Sequence, residues 1–417
     1  MRRLTRILAG ALALPLLAGA ASAAKAPSAI TIGTLYASSG TFPGISMPVY
    51  NGFRLWVDAV NAKGGVFVKP YHKKIPIKLI AYDDQSNTAT AATLYNQLIT
   101  VNKVDILVAD SGSVLTSVAV PIARNHKMLL IDQTGTGPTF FSKDNPYIVL
   151  IDTPVSSVWP KYIPDFLTTD GVKLGVKRIA ILYSTNDFTG SQAVAIRDMT
   201  NAAKAPVKIV YFHGVPTATT SYTVLINNIR AARPDAVIEL GYPNNDIAYL
   251  RALRDSGVKF KWQFAVYPGI EPELLMKTVG LKGLEDVFTY VPSSVLQYKA
   301  GFGMTLPQYR QAWDKKYGET KIAFGFNAVA GYTTGLLLEK ALATTDSMAQ
   351  LALRKAIFAQ SGKLTTIDGS FKLNSEGAQI GEITPLGQIV ADGKGGEKFV
   401  IVYPHRLKTG APVYPAK

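Results

Sequence analysis

Three short loops carry the residues best suited to binding chemistry: Ser38-Ser39-Gly40-Thr41-Phe42, Asp110-Ser111-Gly112-Ser113 and Gln133-Thr134-Gly135-Thr136-Gly137. Each follows an apolar, strand-like run. Serine and threonine hydroxyls, with the free N–H groups of a helix start, suit a carboxylate or another anion. Taken singly, each loop reads equally well as a helix cap. Three of them on one edge of a parallel sheet favour a ligand cradle, because open α/β sheets bind ligands beyond the carboxyl ends of their strands. A second set lies further along: Tyr183 to Phe188, Gly241-Tyr242-Pro243 and Tyr267-Pro268-Gly269, with Glu271 just beyond. Aromatic loop tips can wall a small-molecule pocket. Tyr242 and Tyr267 read equally as ligand wall and as packed surface aromatics. Glu239 and Glu271 are the acids that could meet an ammonium group.

Most catalytic patterns are missing. There is no G-x-S-x-G elbow, no G-x-x-x-x-G-K-[ST] phosphate loop and no H-E-x-x-H. Gly135-Thr136-Gly137 follows a strand as a dinucleotide loop would, but Pro138 and Phe140 replace the rest of that pattern. The chain has no cysteine, and its four histidines are dispersed. Neither a thiolate zinc site nor a cysteine nucleophile is available. No cofactor and no metal are expected. Asp83, Asp84, Asp110 and Asp132 stand at strand ends and could pair as acid and base, although capping and loop solvation are the favoured roles. A pair such as Asp110 and Asp132 is the basis of one rival reading, an exported hydrolase or transferase.

The elements that must position these loops follow from periodicity. Residues 30–35, 75–80, 104–108 and 128–131 read as strands, separated by helices at about 47–61, 89–101 and 114–125. In the first helix Phe53, Trp56, Val57 and Val60 share a face. The rhythm resumes at 178–183, 207–212, 236–240 and 260–265, with Thr153-Pro154 as a crossing point between the groups. Strands alternating with helices predict parallel sheets covered on both faces. The fold class is therefore α/β, with two doubly wound lobes. The C-terminal third predicts a strand at 287–291, helices at 306–317, 327–343 and 349–360, and then short strands with glycine turns. The helices are expected to return to the first lobe and the last strands to the second. This places lobe 1 at 24–153 and 294–365, and lobe 2 at 154–293 and 366–417.

Residues 1–23 read as a cleaved signal peptide. Arg2, Arg3 and Arg6 are followed by an apolar run at 7–17 and by Ala21-Ser22-Ala23. That run is shorter than the ~20 residues a membrane span needs. The remainder is expected to be exported and soluble, with no lipid anchor. A length of 417 residues suggests two or three domains, and 47% hydrophobic with 18% charged residues excludes disordered and collagen-like chains. The net charge of +15 comes from dispersed lysines and arginines. It predicts a solvated basic surface and no nucleic-acid partner.

The stretch from Thr31 to Ile131 resembles the leucine/isoleucine/valine-type periplasmic binding proteins, the type I solute receptors of amino-acid and amide ABC importers. The likeness is carried by Ser39-Gly40, Asn51-Gly52, Asn61-Ala62-Lys63-Gly64-Gly65-Val66, Tyr82-Asp83-Asp84-Gln85-Ser86, and Ser113 with Thr116 and Pro121. The resemblance implies two lobes joined by three crossovers, with a small-molecule ligand in the cleft. It also implies a periplasmic monomer that delivers this ligand to an ABC permease and its ATPase in the inner membrane. Ligand contacts would fall at Ser111 to Ser113, Thr134, Thr136 and Tyr242, with an acidic partner for an amine in the loop from Tyr267 to Glu271. Four departures bear on the ligand. Gly112 replaces a common serine, Val155 stands near a common aspartate, Ile45 replaces a common aromatic, and the first-lobe disulfide is missing. An amino acid, an amide or a small or aromatic carboxylate all remain open. A receptor serving a chemoreceptor or regulator is the second rival reading.

Overall fold

The structure is a computed structural model that describes residues 25–291, 293–320 and 322–416. The expected signal peptide lies outside the described residues. Five parallel strands form the first sheet: β1 (Ile30–Tyr36), β2 (Ile77–Asp83), β3 (Ile106–Val108), β4 (Leu130–Asp132) and β5 (Ile148–Leu150), in the order β2-β1-β3-β4-β5. Strands β3 to β5 are buried throughout, which explains why they read as continuous apolar runs and not as alternating ones. Pro76 splits the strand expected at 75–80. Residues up to Ile75 pair in a hairpin with Val66–Val68, and β2 begins after the proline, which has no N–H to give a ladder.

The second sheet contains β6 (Arg178–Ser184), β7 (Lys208–Val215), β8 (Ala236–Leu240), β9 (Trp262–Phe264), β10 (Phe288–Tyr290), β11 (Leu386–Ala391) and β12 (Glu397–Tyr403). Its order is β12-β11-β10-β9-β8-β6-β7. The strands β6 to β10 run parallel, and β11 and β12 add antiparallel at the edge. The chain passes between the sheets three times: after Leu150, after Tyr290 and after Phe371.

Helices α1 (Pro43–Asn61), α2 (Thr88–Thr100) and α3 (Ser113–Asn125) belong to the first sheet, and α4 (Asp187–Ala202), α5 (Thr223–Ala231) and α6 (Pro243–Ser256) to the second. Helices α7 (Leu306–Tyr317), α8 (Phe326–Thr344) and α9 (Gln350–Phe358) return to the first sheet, where Trp313, Leu337 and Ile357 join Phe53 and Trp56 in one apolar cluster. Every residue of α8 from Phe326 to Leu338 is buried, so this helix has no polar face to show in a periodicity plot. Among the described residues no helix is long and apolar enough to cross a membrane. The apolar core of the second sheet also takes in Phe42, Ile45 and Leu115 from the first lobe and Phe326 from α8, so the two lobes are packed against each other.

Candidate functional site

The carboxyl ends of the parallel strands of both sheets face one another, and a small cavity lies between them. Its walls are Ile45, Ser111, Gly112 and Thr134 from the first lobe, and Phe188, Tyr242, Tyr267 and Ile270 from the second. Thr153 and Trp159 from the first crossover and Phe326 and Asn327 from the start of α8 complete it. Among the described residues no charged side chain lines it. The free space is about 20 Å³, enough for about one water molecule, so the lobes are closed upon it.

The polar wall is built from two adjacent loops. Thr134 Oγ1 accepts the Gly112 N–H at 3.0 Å and lies 3.0 Å from Ser111 Oγ. Gly112 has φ of +80°, a conformation that L side chains rarely adopt. A Cβ there would also meet Ile45 at 3.0 Å and the Tyr242 ring at 3.3 Å. The absence of a serine at this position therefore follows from the backbone and from the closeness of the opposite lobe. The next N–H, of Ser113 at the start of α3, donates across the cleft to Tyr242 Oη at 3.1 Å. Burial pushes the Tyr242 phenol well above its usual range, so it is a neutral acceptor here. Phe42 meets its ring edge-on at 5.2 Å, Phe188 packs at 5.4 Å and Tyr267 stacks at 6.2 Å.

Tyr242 thus spans the cleft and occupies a helix N-terminus, the kind of position that attracts an anion. Tyr242→Phe removes the acceptor and weakens the closed form by about 1–3 kcal/mol, the cost of stranding a buried donor. The ligand-free variant should show a larger radius of gyration in small-angle scattering; an unchanged value would mean the tyrosine does not hold the lobes together.

Other residues expected at the site lie elsewhere. Ser39 is exposed, and its carbonyl accepts from Ser86 Oγ at 2.6 Å. Phe42 backs Tyr242 without lining the cavity. The Gly135 N–H is held by Asp132 Oδ1 at 2.7 Å, and the Thr136 carbonyl accepts the Ser156 N–H at 2.8 Å. The Thr136 hydroxyl is buried with no partner among the described residues, the Ser113 hydroxyl is buried beside Tyr242, and neither residue borders the cavity. Tyr183 does not border the cavity, and its ring packs on Phe212 at 5.1 Å. Glu271 lies behind the wall. Its Oε1 accepts the Asn327 N–H at 3.0 Å and Asn327 Nδ2 at 2.6 Å, so it caps α8. Burial raises its pKa to about 8.

Glu239 is fully buried beside Asp246 and does not face the cleft. Asp110 accepts from Ser46 Oγ and the Ser111 N–H, both at 2.6 Å. Its carboxyl neighbour is Asp84, not Asp132. Neither Asp110 nor Asp132 borders the cavity, which removes the geometric basis of a hydrolytic pair. Val155 packs among apolar residues of the first lobe. The walls that sequence reasoning missed are Thr153, Trp159, Phe326 and Asn327. They come from a crossover and a returning helix, which carry no loop signature.

The sequence profile of a family described as periplasmic binding protein matches residues 29–403. The Leu/Ile/Val-binding protein homolog 7 of Brucella abortus (strain 2308) is 24% identical over 406 residues, covering 94% of this chain and 96% of the relative. The Leu/Ile/Val-binding protein of Escherichia coli (strain K12) is 23% identical over 233 residues, 55% of this chain and 59% of that protein. Among solved structures, a leucine binding protein from Thermotoga maritima superposes with a TM-score of 0.73 at 16% identity, over 91% of this chain and all of that one. A solute binding protein from R. palustris in complex with benzoate gives 0.72 at 16% identity, over 89% and 96%. These likenesses share the two-lobed parallel architecture described above, and with a profile match over almost all of its length the chain belongs to the periplasmic binding protein family.

Proposed function

We propose that this protein is the extracytoplasmic solute receptor of an ABC importer. It is exported through residues 1–23 and acts as a monomer. It captures a small organic molecule between lobes 24–153 with 294–365 and 154–293 with 366–417. It then presents the closed form to an inner-membrane permease and its ATPase, and no covalent chemistry takes place. The observation that carries this reading is the cavity between the lobes. One wall offers the Ser111 and Thr134 hydroxyls beside the start of α3, the opposite wall offers Phe188, Tyr242 and Tyr267, and Phe326 at the start of α8 adds a further ring. Such walls suit a ligand with an acceptor group at one end and an apolar body. An amino acid, an amide or a small or aromatic carboxylate all meet that description. The names of the relatives, and the benzoate bound in one similar structure, point the same way. Closure on the ligand requires contacts that exist mainly in the closed state, because equal affinity for both states shifts nothing.

A thermal-shift screen of the protein from about Ala24 onward tests this reading. A ligand at a hundred times its Kd adds about 2.7 kcal/mol, a shift of several degrees. Thr134→Val should then weaken the responding ligand by about 1–3 kcal/mol in calorimetry. An unaltered affinity removes Thr134 from the site. A protein that answers no chemical class and releases no small molecule on unfolding would sink the receptor reading.

A further inference from the structure

A second cavity, also about 20 Å³, adjoins the first and shares Thr153, Trp159, Ile270 and Phe326 with it. Its far side is formed by Tyr298, Asp368 and Glu382. Asp368 is fully buried with the Asp152 carboxyl and the Ser293 hydroxyl beside it, and among the described residues no donor reaches its oxygens with ordinary hydrogen-bond geometry. Asp152 behind it faces the Asp368 carboxyl, and the Thr153 hydroxyl on the shared wall has no partner among the described residues. The groups acting on the charge of Asp368 are the Asp152 carboxyl and the Ser293 hydroxyl, and Asp368 in turn bears on Glu382. Among the described residues, none of these three acids takes part in an ion pair.

Buried carboxyls without a cation are costly, and a cation entering their cavity offsets that cost. Among the described residues no acidic or histidine cluster is arranged to hold a metal ion. What the cavity does offer beside the carboxyls is aromatic surface, from Trp159, Phe326 and Tyr298. Aromatic faces with carboxylates are the surroundings that attract an organic ammonium, above all an alkylated one.

We infer that the ligand of this receptor carries an organic ammonium group, and that this group occupies the second cavity against Asp368 and Glu382 while the acceptor end meets Ser111, Gly112 and Thr134. The inference rests on the solute-receptor reading of the cleft. It gives the ligand's cation a place in a protein whose Glu271 is committed to Asn327 and whose position 155 is valine. Trp159 and Phe326 border both cavities, so a ligand that reaches from one to the other passes these two rings.

The test is calorimetry and thermal shift on the full mature chain with four probes: benzoate, isoleucine, choline and 4-(trimethylammonio)butyrate. A probe bearing an ammonium group should bind, with the trimethylammonio carboxylate the strongest. Asp368→Asn should weaken that probe by about 10-fold or more, as for loss of a charged partner, and Glu382→Gln should weaken it less. The melting temperature of Asp368→Asn holds or rises, since one of two facing carboxyls is gone, so lost binding is not lost folding. Undiminished binding by Asp368→Asn overturns the inference and leaves the receptor reading intact. So does binding of benzoate with silence from every ammonium probe. Silence from all four probes overturns it too, whereas the receptor reading falls only when unfolding releases no small molecule.

Discussion

Gly331→Ala lowers the stability of the protein by about 1–3 kcal/mol, the usual cost of overpacking. In an exposed helix the same change stabilises by about 1 kcal/mol, because glycine is the poorer helix former. The sign reverses because α1 and α8 touch backbone to backbone. A Cβ on Gly331 would lie 1.9 Å from the Val49 carbonyl oxygen, and one on Gly52 2.2 Å from that of Ala328. A Cβ on Gly335 would lie 2.2 Å from the Trp56 ring. Carbonyl oxygens of helices cannot swing aside as a side chain can. Gly190 in α4 is the control, since the nearest atom to a Cβ there is the Tyr183 ring at 4.0 Å. Gly190→Ala should therefore be neutral or stabilising in denaturant unfolding. Equal effects at the two positions would remove close packing as the reason for glycine at 331. The change also reaches the site: α8 begins with Phe326 and Asn327, so a helix pushed off α1 carries two cavity walls with it.

The alternation of strands and helices was legible because each buried strand and each amphipathic helix leaves a local pattern. The pairing of loops was legible only in part. Ser111, Gly112, Thr134, Tyr242 and Tyr267 meet at the cavity because the parallel strands of each sheet bring their carboxyl ends to one edge and the two edges face each other. Ser39 has the same local chemistry, yet its loop folds back on Ser86, a contact between loops that no spacing encodes. Tyr183 in β6 packs its ring on Phe212 of β7, a contact between neighbouring strands that no spacing encodes. Thr153, Trp159, Phe326 and Asn327 gain their role from chain crossings, and a crossing is a property of the whole topology. Glu271 shows the same limit from the other side. Its type and place suit an amine, but a helix returning from far along the chain takes its carboxylate first.

The melting temperature falls by several degrees between pH 5 and pH 8, the reverse of what ordinary surface carboxylates would give. Burial raises the carboxyls of Asp84, Asp110, Asp132, Asp152, Glu239, Asp246 and Asp368, and it raises Glu271 to about 8. Six of them form three facing pairs, Asp84 with Asp110, Asp152 with Asp368 and Glu239 with Asp246, in which the second negative charge is opposed by the first. In the unfolded chain all of these groups release their protons near pH 4. Between that value and about 8 the native protein therefore binds more protons than the unfolded one, so stability is greatest at the acid end and declines as pH rises. Asp83, Asp235, Asp346 and Asp392 are shifted downward instead, and their contribution is lost only as pH falls below the ordinary carboxyl range. The two sets place the stability maximum at mildly acid pH. Asp84→Asn separates this account from a general charge effect. The amide keeps an acceptor for the Ser86 N–H and offers a donor toward Asp110, so the pair no longer has two charges to oppose. This variant should melt higher than the parent at pH 8 and close to it at pH 5. A parent whose melting temperature is flat or rises from pH 5 to 8 would show that these buried carboxyls ionise as freely as surface ones.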